Sequence, residues 1–341
     1  MKKIVLSLLL ALLPCVVFAS ATACAEQPFH TTAKAACVVE RSSGRVLYEK
    51  NSHLKLPMAS TTKIVTALTV LNNCANTDET VVVPKQAVGV EGSSVYLREG
   101  ERLTVRELLL GLMLRSGNDC AVALALKIGG SVEKFAEMMN QTAQECGCVE
   151  SNFVTPHGLH DDNHYTSACD LAKITCAALK NEDFRDIVST KSAKISNEGY
   201  EYDRLLVNKN KLLSGYDGAD GVKTGFTKKA GRCFVGSATR NGMQVVVVVL
   251  NCGPMFEETE EMLSAAFENY RLQRVVPQNK LCGAIYRKGK PCYYYCADSF
   301  CYPVTRGEKL TSKITLEEEC KQIEVFLDGK SVWKRTLTET D

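Results

Sequence analysis

The order of elements in this 341-residue chain predicts an α+β fold, in which an antiparallel sheet draws strands from both ends of one domain and a helical lobe lies between them. Three observations carry the prediction. Strand-like runs at residues 35–39 and 45–48 stand near the start, and helical apolar spacing fills the middle. Further on, residues 233–238 and 243–250 flank Arg240-Asn241-Gly242, and Asn-Gly between apolar runs marks a tight hairpin. From about Val276, short apolar and aromatic runs separated by Gly, Pro and Asp-Gly read as a second, small all-β domain. The expected division is therefore 1–25, 26–275 and 276–341.

The first of these segments reads as an export signal. Met1-Lys2-Lys3 is charged, residues 4–17 are apolar, and Ala21-Thr22-Ala23 or Ala23-Cys24-Ala25 offers a small-residue cleavage site. Cys24 leaves a lipid-anchored form open, although the usual leucine before such a cysteine is missing. A net charge of +2 with no basic block argues against a nucleic-acid partner. The apolar share of 45% and charged share of 23% are those of a folded globular chain.

Sixteen cysteines is many for an exported protein, and fourteen remain after Ala25. Cys37, Cys74, Cys120, Cys169, Cys176, Cys233 and Cys252 are scattered through apolar segments, which suits free, buried thiols better than a disulfide framework. Cys282, Cys292, Cys296 and Cys301 cluster, and disulfides or a zinc site stay open there, without any Cys-x-x-Cys pair to favour zinc.

In the second segment, the runs 35–39 and 45–48 form a hairpin through Ser42-Ser43-Gly44, and Pro57 ends the extended path. Met58-Ala59-Ser60-Thr61-Thr62-Lys63 follows, leading into the apolar run 64–71. At the first turn of a buried helix, the Ser60 hydroxyl lies beside unpaired N–H groups and the positive end of the helix dipole, which suits a nucleophile. Lys63, three residues on, emerges on the same face, and burial would make it a base. Read alone, the tetrad is more simply an N-cap serine followed by an exposed lysine.

Residues 80–83 are a short strand, and Thr104 with Glu107 has the spacing of a capping box. Residues 117–128 and 132–144 are helical, with Ser116 and Asn118 on the connection before them. The polar stretch 155–165 holds His157, His160 and His164 with Asp161-Asp162, but Pro156 and Gly158 imply a loop and the spacing fits no ligand pattern, so no metal is expected. A helix over 167–180 comes next. Lys223-Thr224-Gly225 then lies on the strand entering the Asn-Gly hairpin, and a helix over 256–270 closes the domain.

Ser60-x-x-Lys63, Ser116-x-Asn118 and Lys223-Thr224-Gly225 occur in the order and spacing of the penicillin-binding proteins and class A β-lactamases. Over residues 31–275 the chain resembles the low-molecular-mass penicillin-binding proteins, specifically the serine D-alanyl-D-alanine carboxypeptidases. The likeness extends through residues 44–51, Gly92-Ser93-Ser94, residues 156–165 and Ala230-Gly231-Arg232.

The resemblance implies a β-lactamase/transpeptidase-like catalytic domain, no cofactor, and peptidoglycan stem peptides ending in D-alanyl-D-alanine as substrate. β-Lactams would acylate the same serine. Ser60 would attack, with Lys63 as base. Ser116 would pass a proton to the leaving amine, and Asn118 would orient Lys63 and bind the substrate amide. The N–H groups of Ser60 and Phe226 would hold the oxyanion, and Lys223 and Thr224 the terminal carboxylate. Gly225 would leave room for the acyl chain.

One departure stands out: the segment after the last strand, Asn251-Cys252-Gly253-Pro254-Met255-Phe256, has no cation where some relatives bring an arginine. A β-lactamase and a wall-binding protein with a vestigial site remain the rival readings. The loop around Pro156 lacks the glutamate a class A β-lactamase needs. A monomer is expected, and the polar ending Leu337-Thr338-Glu339-Thr340-Asp341 shows no amphipathic membrane anchor.

Overall fold

Residues 29–287 and 290–340 are described by the computed structural model, so the expected export signal at 1–25 lies outside the described residues. Strands β1 (Ala35–Glu40) and β2 (Val46–Lys50) form the first hairpin. Helix α1 (Lys63–Asn73) follows, then a short pair, β3 (Thr80–Val82) with β4 (Arg102–Thr104). Next come helices α2 (Val105–Leu114), α3 (Asn118–Gly129), α4 (Val132–Glu145), α5 (Ala168–Ala178) and α6 (Glu182–Ser189). A second short pair, β5 (Ser192–Ile195) with β6 (Arg204–Val207), and the single turn α7 (Leu212–Gly215) lead back to the sheet.

Strands β7 (Ala219–Thr227), β8 (Gly231–Arg240) and β9 (Met243–Leu250) complete a five-stranded antiparallel sheet in the order β2-β1-β9-β8-β7, and α8 (Met255–Asn269) closes the unit. The two ends of the domain thus meet at the β1–β9 pairing. Strand β9 is buried along its whole length because both faces of the sheet are covered. Val246, Val248 and Leu250 face the helical lobe, whereas Val245, Val247 and Val249 face α8.

Local signals hold as expected. Thr104 and Glu107 make a reciprocal capping box on α2, and Asn241 and Gly242 take φ of +50° and +78° in the two-residue turn between β8 and β9. One placement shifts: Asn118 is the first residue of α3, leaving Ser116 on the connection with φ +65°.

The last strands are β10 (Arg271–Val276), β11 (Lys280–Arg287), β12 (Lys290–Cys296), β13 (Phe300–Val304), β14 (Leu310–Leu316), β15 (Lys321–Leu327), β16 (Lys330–Thr336) and β17 (Thr338–Thr340). They form sheets β10-β13, β11-β12-β17 and β14-β15-β16 around their own core of Val276, Tyr294, Phe300, Ile323 and Val325. In the tyrosine run, pleating buries Tyr294 and leaves Tyr293 exposed.

The described cysteines, from Cys37 to Cys320, carry free thiols. Among the described residues no group of three or more His, Cys, Asp or Glu is placed to hold a metal ion, and no helix is long and apolar enough to cross a membrane.

Candidate active site

Ser60 is presented by a single 3₁₀ turn, Ala59–Thr62, that runs directly into α1. Ala59 takes φ +51°, an unusual conformation for a residue with a Cβ, and the turn is braced from two sides. Strand β7 approaches so closely that a Cβ on Gly225 would stand 3.0 Å from the carbonyl of Met58 and the amide nitrogens of Ser60 and Thr61. The space that Gly225 leaves is therefore filled by the serine turn itself, a different reason for the glycine than passage of an acyl chain. On the other side Gly158, at φ +85°, lies against the Ala59 carbonyl, where any side chain would collide.

Lys63 is fully buried. Its Nζ lies 3.0 Å from Ser60 Oγ and donates to Asn118 Oδ1 at 2.7 Å and to the His157 carbonyl at 2.7 Å. The Asn118 amide is oriented by donation from Nδ2 to the Glu91 carbonyl at 2.5 Å. Burial, reinforced by the Lys223 charge, pushes the Lys63 amine well below its usual range. A neutral amine has two N–H bonds, and the two carbonyl oxygens take both. Its lone pair is then left for the Ser60 hydroxyl proton.

Lys223, also buried, is pushed down to about 7 by burial and then by the Lys209 charge, and it donates to the Thr224 carbonyl at 2.9 Å. Ser60, Ser116, Thr224, Gly225 and Phe226 line one cavity of about 360 Å³, with Lys63, Asn118 and Lys223 behind its wall. A larger cavity of about 490 Å³, lined by Leu68 and Asn72, lies at the far end of α1, away from this chemistry.

Two residues of the candidate site escaped sequence reasoning. Lys209, between β6 and α7, lines the same cavity and donates to Ser93 Oγ at 3.0 Å, so a second free cation reaches the site from a turn before the Lys-Thr-Gly strand. The segment after β9 supplies the apolar wall instead, through Met255 and Phe256. His164 is the other. Its Nδ1 accepts from the amides of Val154 at 2.9 Å and Thr155 at 3.3 Å, which puts the proton on Nε2. From there it donates to Thr62 Oγ1 at 2.8 Å, and Thr62 donates on to the Ala59 carbonyl at 2.8 Å. Burial lowers His164 to about 4 and His157 to about 3, so both rings are neutral at pH 7. Each histidine shapes the loop that covers the lysine, His157 through its carbonyl and His164 through its ring.

A hydroxyl facing a buried amine held well below its usual range, beside a strand edge and two further lysines, is equipped for acyl transfer through a serine ester. The chain belongs to the D-alanyl-D-alanine carboxypeptidase family (Peptidase_S11), whose profile matches residues 21–253. It is 36% identical over 266 residues to the D-alanyl-D-alanine carboxypeptidase DacF of Bacillus subtilis, covering 76% of this chain and 68% of that one. Penicillin-binding protein 5 from Haemophilus influenzae superposes with a TM-score of 0.79 at 26% identity, over 92% of this chain and 97% of that one. A Streptomyces DD-transpeptidase superposes with a TM-score of 0.67 at 34% identity, over 70% of this chain and 99% of that one.

Proposed function

We propose that this chain is a serine D-alanyl-D-alanine carboxypeptidase that removes the terminal D-alanine from peptidoglycan stem peptides through a Ser60 acyl-enzyme. The observation that carries the assignment of residues is the environment of Lys63: a buried amine whose two N–H bonds are taken by Asn118 and His157, with Ser60 Oγ at 3.0 Å.

Ser60 Oγ attacks the carbonyl carbon of the penultimate D-alanine while Lys63 takes its proton. The backbone N–H groups of Ser60 and Phe226 hold the oxyanion. The C–N bond then breaks, and Ser116 relays the proton held by Lys63 to the departing amine. Water, deprotonated by the Lys63 amine, hydrolyses the ester, and the proton returns to Ser60 Oγ. Lys223, Thr224 and Lys209 bind the terminal carboxylate, so the cation missing after the last strand is replaced from the turn before β7. β-Lactams, with a carboxylate beside a strained amide, acylate the same serine. None of the residues lining the cavity is a carboxylate, which weighs against a glutamate-assisted β-lactamase.

The substrate lies outside the cytoplasm, and residues 1–25 would export the enzyme. The chain would act as a monomer, with a catalytic domain followed by a β-rich domain that positions it on the wall. Purified protein incubated with a D-alanyl-D-alanine peptide and, separately, with penicillin tests the assignment. D-Alanine release and a mass increase on Ser60 are expected, and both should vanish in Ser60→Ala. A penicillin adduct that persists in that variant on another serine would overturn the choice of nucleophile.

A further inference from the structure

Cys37 and Cys169 meet where β1 packs against the start of α5, and their thiols share a hydrogen bond. The meeting is fixed from both sides. Cys37, wholly buried, lies opposite Glu49 in the β1–β2 pairing, and Glu49 accepts from Ser52 Oγ at 2.7 Å. The Ser52 carbonyl in turn accepts from the Cys169 amide at 2.9 Å, which seats the first turn of α5 on the segment leaving β2. That segment is clamped again where Leu56 and Thr166 exchange hydrogen bonds of 2.8 and 3.1 Å, shortly before the Ser60 turn.

The two sulfurs are unequal. Cys37 is pushed up because its S–H donates to Cys169, and burial and the Glu49 charge act the same way. Cys169 is lowered by accepting that hydrogen bond, then by Lys173 one turn along α5 and by His53 beside β2, against burial and Asp170. Its place in the first turn of α5, behind the Ser167 cap, adds the positive end of the helix dipole. Other thiols move the opposite way: burial pushes up Cys120, Cys148, Cys176, Cys233 and Cys252. Cys169 keeps 9% of its surface exposed and Cys37 none, so a reagent from solvent meets Cys169 first. A reachable thiolate backed by a buried thiol is the arrangement of an attacking and a resolving cysteine.

We propose that Cys169 and Cys37 are an exchange-active thiol pair that closes into a disulfide between α5 and β1 when the protein meets a small disulfide such as oxidised glutathione. The Cys169 thiolate attacks one sulfur of the reagent, breaking its S–S bond, forming a mixed disulfide and releasing one thiolate. Cys37 then attacks Cys169 Sγ, and its proton passes to the second reagent sulfur as that sulfur leaves. Two protein thiols are oxidised and one external disulfide is reduced to two thiols. The new bond ties the sheet to the helix that follows the loop over Lys63, so oxidation fastens the support of that loop without entering the catalytic cavity.

The test treats the reduced full chain with oxidised glutathione, blocks the remaining thiols and maps every cysteine by peptide mass spectrometry. Wild type should lose the Cys37 and Cys169 thiols together and give one cross-linked peptide pair. Cys37→Ala should instead hold glutathione on Cys169, and Cys169→Ala should leave Cys37 unreacted. Oxidised wild type should unfold at a higher urea concentration than reduced wild type, because the link constrains the unfolded chain, and neither variant should show that difference. Alkylation of Cys169 by iodoacetamide gives a reading that a merely buried cysteine would not move. In wild type its rate should reach half of its maximum near pH 6, against about 8.5 for an ordinary thiol, and the midpoint should rise in Cys37→Ala. Wild type that keeps glutathione on Cys169 with Cys37 free overturns the proposal, as does a link from Cys169 to Cys148. A wild-type alkylation midpoint at 8.5 or above overturns it too, since Cys169 would then not be the attacking thiolate.

Discussion

Lys63 and Lys223 are buried amines to which the proposed function gives opposite uses, and the reason lies in what surrounds them. Lys63 has two fixed carbonyl acceptors and the Ser60 hydroxyl at 3.0 Å, whereas Lys223 donates to the carbonyl of Thr224, which lines the cavity. A guanidinium stays protonated at any working pH. Lys63→Arg is therefore expected to slow penicillin acylation by about a hundredfold or more, the usual contribution of a general base. Lys223→Arg should retain more activity than Lys223→Ala, and the opposite ranking by stopped-flow acylation would refute this division of roles. The same pair sets the pH dependence. Lys63 must be neutral, so the rate rises with pH through its lowered titration. Lys223 must be charged, so kcat/KM for a carboxylate-bearing peptide falls as pH rises through about 7. In kcat the falling limb should move to higher pH, because a bound carboxylate stabilises the ammonium. An esterified peptide should lose that limb, and an unchanged profile would show that Lys223 does not read the carboxylate. The seven residues of the three motifs, which the structure brings together around one cavity, were legible from motif order and type, whereas Phe226 was assigned by resemblance. Lys209 was not legible, because nothing in Asn208-Lys209-Asn210-Lys211 separates a cleft lysine from a solvated one until the chain folds.

The Ser60 turn depends on the loop that packs over it. His164 links that loop to the turn through a neutral ring, accepting at Nδ1 from two backbone amides and donating at Nε2 to Thr62. Protonation would set a new N–H against those two donors. The sign of the pH effect follows: histidine titrates near 6.5 in the unfolded chain and at about 4 here, so the unfolded state binds more protons between those values. Stability should fall as pH drops from about 6.5 towards 4 and level off below. His164→Phe should lose about 1 to 3 kcal/mol at pH 7 through unpaired amides, slow penicillin acylation, and show a shallower loss of stability between pH 7 and 5 than wild type in urea titrations. Parallel pH curves for the two proteins would remove His164 as the acid-sensitive link. Local devices such as the Thr104 and Glu107 box or the Asn241-Gly242 turn were readable because their partners are three residues apart or fewer. The His164 link was not, since Thr62 is 102 positions away. Gly225 was read as a small residue at the site, but its reason, the approach of a turn from another part of the chain, is tertiary.

At the scale of the molecule, catalytic and C-terminal parts have separate cores, and β10 stands between them. Composition changes at about Val276, but β10 (Arg271–Val276) pairs with β13 and not with the five-stranded sheet. Helix α8 closes the catalytic core, its apolar face covering the sheet through Met262, Leu263 and Ala266, with Leu272 of β10 packed at the margin. What joins the two parts is centred on Arg45, which binds Glu308 at 2.5 Å and the Pro303 carbonyl at 2.6 Å and lies over the rings of Tyr270 and Tyr302. The charge of Glu308 more than offsets burial and keeps Arg45 firmly protonated. A chain ended at Tyr270 should therefore fold, lose about 1 to 3 kcal/mol with the Arg45 contacts, and hydrolyse a small soluble peptide within about threefold of the full chain. One ended at Val276 keeps β10 without its partner, an open edge that should favour association in sedimentation. On intact cell walls both truncations should fall well behind the full chain if the β-rich part serves to position the enzyme. A shorter chain that gives the circular dichroism of a folded domain yet no longer releases D-alanine from the soluble peptide would mean that the β-rich part helps to build the active site, with Arg45 and the β1–β2 hairpin as the route by which it does so.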